Sequence, residues 1–323
     1  MSSASLVPET RDLSGDDAWA VLKRTGWGRL AKDAFKRMRV ADGFSHARSL
    51  AFMISLLAIE GLIGVVGLAS VLHKGRISAM IDATVRGAIP GPAGHVLTTA
   101  VTQAHRVAGA HHYGALLFGI IGSLVVATTA MGQLERGLNR IYGVEQDRPT
   151  SKKYGLAFLF ALSAGTAAAA AFVCLAFGRD VINLTSNHAL ADAWSLLRWP
   201  LGVGLTTVTV TMLFRWSPRR RQPRLSWLAY GSGVSVLMWG LVTVGLGLFF
   251  RSSSSFGATY GPLAGVVALL IWSLLSSVAL LYGAAVAAQL EAVKTESPAP
   301  QDIAKVVESD PVSDSHQDNV KTS

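Results

Sequence analysis

The chain has 323 residues, of which 50% are hydrophobic and 15% are charged, and its mean hydropathy is +0.40. Since a soluble domain carries about a quarter charged residues, this composition excludes an ordinary soluble protein and indicates burial in a membrane. The net charge of +9 does not indicate a nucleic-acid partner, because the basic residues lie beside long apolar runs, as membrane topology and anionic headgroups require.

The N-terminal residues 1–47 are predicted to form a cytoplasmic segment with one amphipathic helix. Residues 1–15 are polar, and we expect them to be loosely held. Farther along, apolar side chains follow the spacing of one helical face and basic side chains occupy the other faces. The apolar positions are Trp27, Leu30, Ala31, Ala34, Phe35 and Met38, and the basic ones are Arg29, Lys32, Lys36, Arg37 and Arg39. Two alternatives stay open: this helix lies on an anionic membrane surface, or it packs on its own protein.

Six apolar runs are each long enough to cross a hydrocarbon core of about 30 Å. They form a membrane domain over residues 48–290 and cover residues 49–72, 113–132, 154–177, 197–214, 227–250 and 263–288. No apolar signal region precedes the first run, so we expect it to act as an uncleaved anchor. Residues 73–112 are too polar to cross and are predicted to form an outer loop with short helices. Residues 291–323 are acidic, without periodicity, and are predicted to form a disordered cytoplasmic tail.

The distribution of Lys and Arg predicts the orientation of these spans. Ten of these residues lie in the short loops 133–153 and 215–224, whereas six lie in the three remaining connections, which are longer in total. Short basic loops stay on the cytoplasmic side, so both termini are expected in the cytoplasm. The sequence therefore predicts an all-α, multi-pass plasma-membrane protein with six transmembrane helices.

Glu60 lies near the middle of the first span, where an ionised carboxylate costs roughly 2.5–3.5 kcal/mol. Such residues usually face the interior of a helix bundle and serve a pathway. Hydroxyl side chains at a similar depth are predicted to line a substrate path with it; these are Ser123, Thr206, Ser273 and Ser276. Two alternatives stay open: a protonated Glu60 held by one hydroxyl with a purely structural effect, or a tilted helix that places Glu60 elsewhere.

Arginines near the ends of the spans are candidates for contacts with anions or lipid headgroups. Arg198 lies at the outer end of the fourth span, where it either snorkels to the interface beside Trp199 or forms an outer-leaflet anion site. The inner-side candidates form a basic turn and are Arg219, Arg220 and Arg221. This turn is a topology signal, and the binding of anionic headgroups is the alternative.

The sequence offers no catalytic, metal or cofactor site. It shows no Ser/His/Asp arrangement, no phosphate-cradling glycine loop and no pair of carboxylates spaced for acid–base chemistry. The single Cys174 lies inside an apolar run, which excludes a disulfide framework and a cysteine metal site. Histidines at positions 73, 95, 105, 111 and 112 show no spacing typical of metal ligands. We therefore expect no enzymatic activity, no cofactor and no metal.

Three segments carry a pattern of polar, aromatic and glycine residues. Its members are Glu135, Arg136, Asn139, Arg140, Tyr142, Gly143 and Arg148 in the first segment, Pro218, Trp227, Gly231 and Trp239 in the second, and Tyr260, Gly261, Trp272 and Gly283 in the third. Together they resemble the YihY/BrkB family of bacterial inner-membrane proteins, and in particular its YhjD-like branch. The resemblance covers roughly residues 45–290.

This resemblance implies six spans with both ends inside a bacterial inner membrane, which agrees with the charge distribution. The family has no settled activity; it has been associated with envelope integrity, serum resistance and the export of lipid-linked material. It has also carried a ribonuclease label, which no residue pattern in this chain supports. Two positions depart from the family pattern, since Ala285 stands where Glu is usual and Glu60 stands where proline is frequent.

The leading hypothesis is transport or export of an amphiphilic, anionic envelope component past Glu60, with arginines meeting its headgroup. The alternative is a non-transporting membrane scaffold or envelope-integrity factor that organises partners through its amphipathic helix, basic loops and tail. The expected partners are membrane lipids, anionic ones among them, and no nucleic acid. A homo-oligomer and envelope protein partners are both left open.

Overall fold

The computed structural model describes residues 4–71, 99, 112–146, 148–149, 154–155, 157–159, 162, 188–252, 263–297 and 300. These residues form helices and no strand, which confirms the predicted all-α fold for this part of the chain. In chain order the helices are α1 (Gly15–Thr25), α2 (Trp27–Val40), α3 (Gly43–Val71), α4 (His112–Tyr142), α5 (His188–Trp216), α6 (Leu225–Ser252) and α7 (Ala264–Lys294).

The first three helices follow one another through tight turns. The Asp17 carboxylate accepts hydrogen bonds from the backbone N–H and the hydroxyl of Ser14, both at 3.0 Å, and so caps the first turn of α1. The bond from the Ser14 backbone is the main reason why the pKa of Asp17 lies below its usual value. Gly26, with a φ of 79°, separates α1 from α2, and a turn at Ala41 and Asp42 leads directly into α3.

Three of the described helical segments are long and apolar enough to cross a membrane: Leu117–Tyr142, Leu225–Ser252 and Ala264–Lys294. They correspond to the spans predicted at 113–132, 227–250 and 263–288. On α6 the exposed Leu237, Leu241, Val244 and Leu248 recur every three or four residues and form one apolar stripe along the helix. A stripe of this length suits contact with lipid chains.

Several helices extend beyond the predicted spans. α4 continues to Tyr142, although the sequence predicts a connection from residue 133, and α7 continues to Lys294, past the predicted start of the tail at residue 291. α5 begins at His188 and contains Pro200. The extensions of α4 and α7 contain charged and amide residues, so hydropathy does not detect them. The predicted outer loop, most of the third span and the tail beyond residue 300 lie outside the described residues.

α6 and α7 approach each other closely at two glycines. A Cβ on Gly231 would lie 2.5 Å from the Gly283 carbonyl oxygen, and a Cβ on Gly283 would meet the Gly231 carbonyl oxygen in turn. Only small residues allow two helix backbones to approach so closely. α3 packs along α4, and α7 also contacts α2 and α3, so α7 is central among the described helices.

Among the described helices, α4, α5 and α7 end, and α3 and α6 begin, at the same end of the bundle. We call this region, made of residues 4–48, 133–149, 214–228 and 284–297, the basic end. Most of the fully buried hydrophobic side chains lie here, among them Met38, Leu138, Ile141, Phe214, Trp227 and Leu228. The folded core that positions polar groups is therefore at this end of the bundle rather than at mid-height.

This packing decides two expectations for the N-terminal segment. Residues 4–13 are not loosely held, since Ala4 and Val7 are fully buried. α2 is amphipathic as predicted, and its inner side packs on its own protein, in contact with α7; the buried residues are Leu30, Ala34, Arg37 and Met38. Trp27 and Phe35, which the spacing assigns to that side, are 52% and 49% exposed.

Gly231→Ala is expected to destabilise the protein by about 1–3 kcal/mol, because the added methyl group meets the backbone of α7. Gly233→Ala is the matched control on the same helix, since a Cβ there has nothing within 4 Å. Denaturant unfolding of the purified proteins in detergent, followed by circular dichroism, measures both free energies of unfolding. Equal losses in the two variants would contradict the close contact between α6 and α7.

Candidate functional site

A buried ion pair between Arg220 and Glu291 lies at the centre of the basic end. Arg220 belongs to the turn between α5 and α6, and Glu291 lies in the last turn of α7. The guanidinium donates two hydrogen bonds to the carboxylate, at 2.8 and 3.1 Å, and the side chains are 1% and 0% exposed. Arg220 also lies over the Tyr142 ring, 4.5 Å from its centroid. One guanidinium therefore connects the turn, α7 and α4.

Arg37 on α2 is a second fully buried arginine at the basic end. It donates to the Gln289 side-chain oxygen at 2.8 Å and to the backbone carbonyls of Ser5 and Ile141 at 3.0 and 3.2 Å. None of these acceptors is charged, and no carboxylate among the described residues pairs with Arg37. Burial lowers the pKa of Arg37 to about 10, which leaves its guanidinium charged at neutral pH.

The N-terminal strap, which we define as residues 4–14, runs alongside the end of α4. The backbone N–H groups of Ala4 and Val7 donate to carbonyls in the last turn of α4, at 3.2 and 3.1 Å. Gly143 follows this turn with a φ of 77°, and a Cβ there would lie 2.5 Å from the Leu6 Cα. Gly143 therefore meets two requirements, because it adopts a left-handed conformation and leaves room for the strap.

The strap also covers the two buried arginines. The carbonyl oxygens of Ser5 and Pro8 accept hydrogen bonds from Arg37 and Arg220, both at 3.0 Å. The Thr10 hydroxyl donates to the carboxylate that pairs with Arg220. The strap thus supplies part of the hydrogen bonding that these arginines need in order to be buried.

Polar residues at the end of α4 hold the turn between α5 and α6 in place. The Asn139 side-chain oxygen accepts a hydrogen bond from the backbone N–H of Arg219 at 2.8 Å. Arg148 donates to two carbonyls of the turn, both at 3.0 Å, and lies 3.4 Å from the Glu135 carboxylate. Arg140 donates at 2.7 Å to a carbonyl of the segment after α4. The first predicted segment is therefore a docking edge for the basic turn.

Two further residues of the predicted pattern, Trp272 and Gly283, join α6 to α7. The indole N–H of Trp272 donates to the Thr243 hydroxyl at 3.2 Å, and Gly283 forms the close contact with α6. Arg136 is partly buried on α4. Tyr260 and Gly261 lie outside the described residues.

Glu60 faces α4 at Gly122. A Cβ on Gly122 would lie 2.6 Å from Glu60 Oε2, so the carboxylate fills the space beside this glycine. This oxygen is buried and has no hydrogen-bond partner among the described residues. A buried polar atom without a partner is costly, so Glu60 differs from the buried acids of the basic end, which are paired with arginines.

The predicted hydroxyl groups do not converge on this carboxylate. Ser123 and Thr206 donate to carbonyls of their own helices, at 3.0 and 2.8 Å. Ser273 accepts a hydrogen bond from Ser55 at 2.9 Å, which joins α7 to α3. The Ser276 hydroxyl is buried and has no partner among the described residues. Ser55 was not predicted; its signal in the sequence is a hydroxyl residue inside the first apolar run.

The arginines predicted to meet headgroups have different environments. Arg220 is buried and paired, so a surface contact with headgroups does not hold for it with the strap in place. Arg219 and Arg221 are exposed, and their backbone N–H groups anchor the turn. Arg198 lies within α5, and its side chain is outside the described part of the chain.

Unpartnered polar atoms accumulate at the basic end. The buried atoms without a hydrogen-bond partner in the described residues include the N–H donors Arg37 Nη2, Arg140 Nε, Arg220 Nε and Trp227 Nε1 and the hydroxyls of Ser5 and Ser217. All six of these atoms can donate a hydrogen bond. Because buried polar groups nearly always have a partner in protein, water or an ion, this surplus of donors points to an acceptor at this end.

The prediction that no metal is bound concerns residues in several parts of the chain. Among the described residues, no three His, Cys, Asp or Glu side chains are close enough to hold a metal ion. Cys174, the histidines at positions 73, 95, 105 and 111 and the side chain of His112 lie outside these residues. The absence of a metal and of a cofactor therefore stays a prediction.

The sequence model of the family described as virulence factor BrkB matches residues 34–305. Ribonuclease-like protein YfkH of Bacillus subtilis is 25% identical over 270 residues, which cover 80% of this chain and 94% of that protein. UPF0761 membrane proteins of Xanthomonas campestris and Xanthomonas axonopodis are each 27% identical over 182 residues, or 55% of this chain. The match spans only 41% of the length of these Xanthomonas relatives. No solved structure matches the chain.

Arg220→Gln is expected to lower the free energy of unfolding by about 3–5 kcal/mol, because it leaves Glu291 buried without its partner. Arg221→Gln is the control, since that neighbouring side chain is exposed. Adding Glu291→Gln to Arg220→Gln should restore part of the loss by removing the unpaired charge. Denaturant unfolding in detergent measures all three variants, and an Arg220→Gln protein as stable as Arg221→Gln would refute the role of the pair.

Proposed function

Because this chain belongs to the virulence factor BrkB family, we propose that it is a multi-pass protein of the bacterial plasma membrane that transports an amphiphilic, anionic component of the envelope. The observation that carries the proposal is the unpartnered Oε2 of Glu60, buried between α3 and α4. An acidic side chain inside a membrane bundle is costly, and such residues usually serve a pathway.

The proposed protein crosses the membrane six times with both termini in the cytoplasm. Three described segments support this by their length and hydropathy. The helix directions support it too, because α4, α5 and α7 end at the same end of the bundle where α3 and α6 begin. α4 ends at the basic end and α5 begins at the opposite end, which agrees with a span over residues 154–177 between them. The charge distribution assigns the basic end to the cytoplasm.

The Glu60 carboxyl group is proposed to contact the substrate along the path. Its oxygens can form hydrogen bonds with hydroxyl groups of the substrate at this depth. Ser276, whose hydroxyl is unpartnered among the described residues, is the first of the predicted hydroxyls to consider beside it. Ser123 and Thr206 donate to their own helices and keep lone pairs that can accept.

Basic residues are proposed to attract the anionic headgroup at both ends of the path. Arg198 would act on the outer side, and the exposed Arg219 and Arg221 on the inner side. Clusters of Arg near a membrane surface raise the local concentration of anionic ligands. Anionic membrane lipids are accordingly the proposed partners.

No enzymatic reaction is proposed for this chain. The ribonuclease-like name belongs to the Bacillus subtilis relative and says nothing of the residues that would act here. The buried acids of the basic end, Glu135 and Glu291, are each paired with an arginine and are therefore committed to the fold. Transport requires a path and binding groups, and it requires no nucleophile.

A non-transporting scaffold is the alternative, and one observation favours it. The outer side of α2 exposes Phe35 together with Lys32, Lys36 and Arg39. An exposed aromatic among basic residues fits a protein partner with an acidic surface as well as a membrane. In this case the spans would only position α2 and the tail.

Glu60→Gln is expected to lower the flux of a fluorescent anionic phospholipid analogue across liposomes that contain the purified protein by about tenfold, a factor that corresponds to about 1.4 kcal/mol. The amide keeps the shape of the side chain and removes its proton exchange. Glu145→Gln is the control, because Glu145 is exposed and lies after α4. Wild-type flux in both the Glu60→Gln and the Arg198→Ala proteins would show that the assigned roles are wrong.

The scaffold alternative predicts that changes in α2 or in the tail abolish function in cells, and that the change at Glu60 does not. Phe35→Ser combined with Lys36→Glu, or deletion of residues 301–323, should abolish complementation of an envelope-sensitive deletion strain, whereas Glu60→Gln should be tolerated. Lys23→Glu on α1 serves as the charge control, since Lys23 is exposed and lies over the Trp19 ring. Protein levels in the membrane are measured by immunoblotting for every strain.

A further inference from the structure

Arg37 and Arg220 have hydrogen-bonding capacity that the fold does not use. Both side chains are buried, and each donates one hydrogen bond to a carbonyl of the strap. Each also keeps an N–H without a partner among the described residues, at Arg37 Nη2 and Arg220 Nε.

This pair of arginines carries more positive charge than the described residues around it balance. The Glu291 carboxylate accepts from Arg220 and from the Thr10 hydroxyl, and it also stabilises the charge of Arg37 electrostatically, so one carboxylate serves both guanidinium groups. The acceptors of Arg37 are an amide and two backbone carbonyls, all neutral. Two buried guanidinium groups beside one carboxylate leave one positive charge without a counter-charge, and a bound anion would supply it.

We propose that Arg37 and Arg220 form a binding site for a phosphate group, and that the N-terminal strap covers this site in the structure. The carbonyl oxygens of Ser5 and Pro8 accept from the two guanidinium groups at 3.0 Å, so they lie where phosphate oxygens would lie. Paired N–H groups of a planar guanidinium match phosphate oxygens in spacing and charge.

Withdrawal of the strap would expose donors without breaking the fold beneath. It frees the N–H group of each arginine that donates to the strap, beside the unpartnered Arg37 Nη2 and Arg220 Nε. The two hydrogen bonds from Arg220 to Glu291 persist. The strap is held by three backbone hydrogen bonds, from Ala4 and Val7 to α4 and from Arg224 to Leu13, by side-chain contacts of Glu9 and Thr10, and by the burial of Ala4 and Val7. Since a ligand binds only the open form, its apparent affinity is reduced by the fraction of molecules that are open.

This inference rests on the proposed function for the identity of the ligand, which would be the headgroup of the transported amphiphile. The chemistry required is a phosphate group, and either a lipid or a soluble phosphate carries one. The site lies at the basic end, where α3 and α6 begin, and a headgroup in the adjoining leaflet lies at this level.

Val7→Asp is expected to release the strap, because Val7 is fully buried and an ionised carboxylate in its place cannot be. Leu6→Asp is the matched control, since it adds the same charge one residue earlier at a position that is 60% exposed. Isothermal titration calorimetry on the full-length proteins in a non-ionic detergent measures binding of two probes, inorganic phosphate and dihexanoyl phosphatidic acid. We expect Val7→Asp to bind at least one probe about tenfold more tightly than the wild type or Leu6→Asp.

The two probes and one further variant separate the possible outcomes. Tighter binding of phosphatidic acid alone identifies a lipid headgroup, and tighter binding of both probes identifies a site for any phosphate. Adding Arg37→Gln to Val7→Asp should remove the gain. An equal affinity in Val7→Asp and Leu6→Asp, or a gain that survives Arg37→Gln, would overturn the proposal.

If Val7→Asp does not fold, the thermal shift of the intact protein tests the same site. Phosphate at constant ionic strength should then raise the unfolding temperature of the wild type and of Arg221→Gln, and leave that of Arg37→Gln unchanged. A shift in Arg37→Gln equal to that of the wild type would exclude the site. Phosphate binding without lipid flux would support this phosphate site and contradict the transport role. Lipid flux without phosphate binding would support transport and contradict this phosphate site.

Discussion

Backbone carbonyls at the basic end accept hydrogen bonds from arginine side chains, and the positions of the strap and of the turn between α5 and α6 depend on these bonds. A turn or strap that enters the interior presents carbonyls for which no helix provides a donor. Arg148 and Arg215 donate to carbonyls of the turn between α5 and α6, and Arg37 and Arg220 donate to those of the strap. Because a guanidinium has five N–H groups, one side chain reaches several segments. The residues that predict membrane orientation therefore also build the core.

The helices were predictable because they depend on local composition and spacing. The apolar runs at 227–250 and 263–288 correspond to α6 and α7, and α2 follows the 3.6-residue period from Trp27. The helix ends were not predictable in this way. α4 and α7 continue past their apolar parts because Asn139 and Glu291 make contacts with the basic turn, and hydropathy does not register such contacts.

Burial of charged residues could not be predicted, because it depends on partners that are distant in the chain. Arg37 lies among basic residues in the sequence, yet it is enclosed by the strap, α4 and α7. The sequence offers one indication that Glu291 is buried, because this acid directly follows an apolar run that ends beside a basic turn. Glu60 was identified as an intramembrane acid from its depth, but its neighbour Gly122 was not, since depth does not specify rotation about the helix.

The hydrogen bond between Thr10 and Glu291 joins residues that are 281 positions apart, and this separation imposes an order on biosynthesis. The strap is translated before the helices, but the carboxylate that accepts from Thr10 lies in the last turn of α7. The backbone hydrogen bonds of Ala4 and Val7 go to the last turn of α4 and can form as soon as that helix is in place. The strap is therefore fixed in two steps, first against α4 and then, once α7 has been inserted, against Glu291.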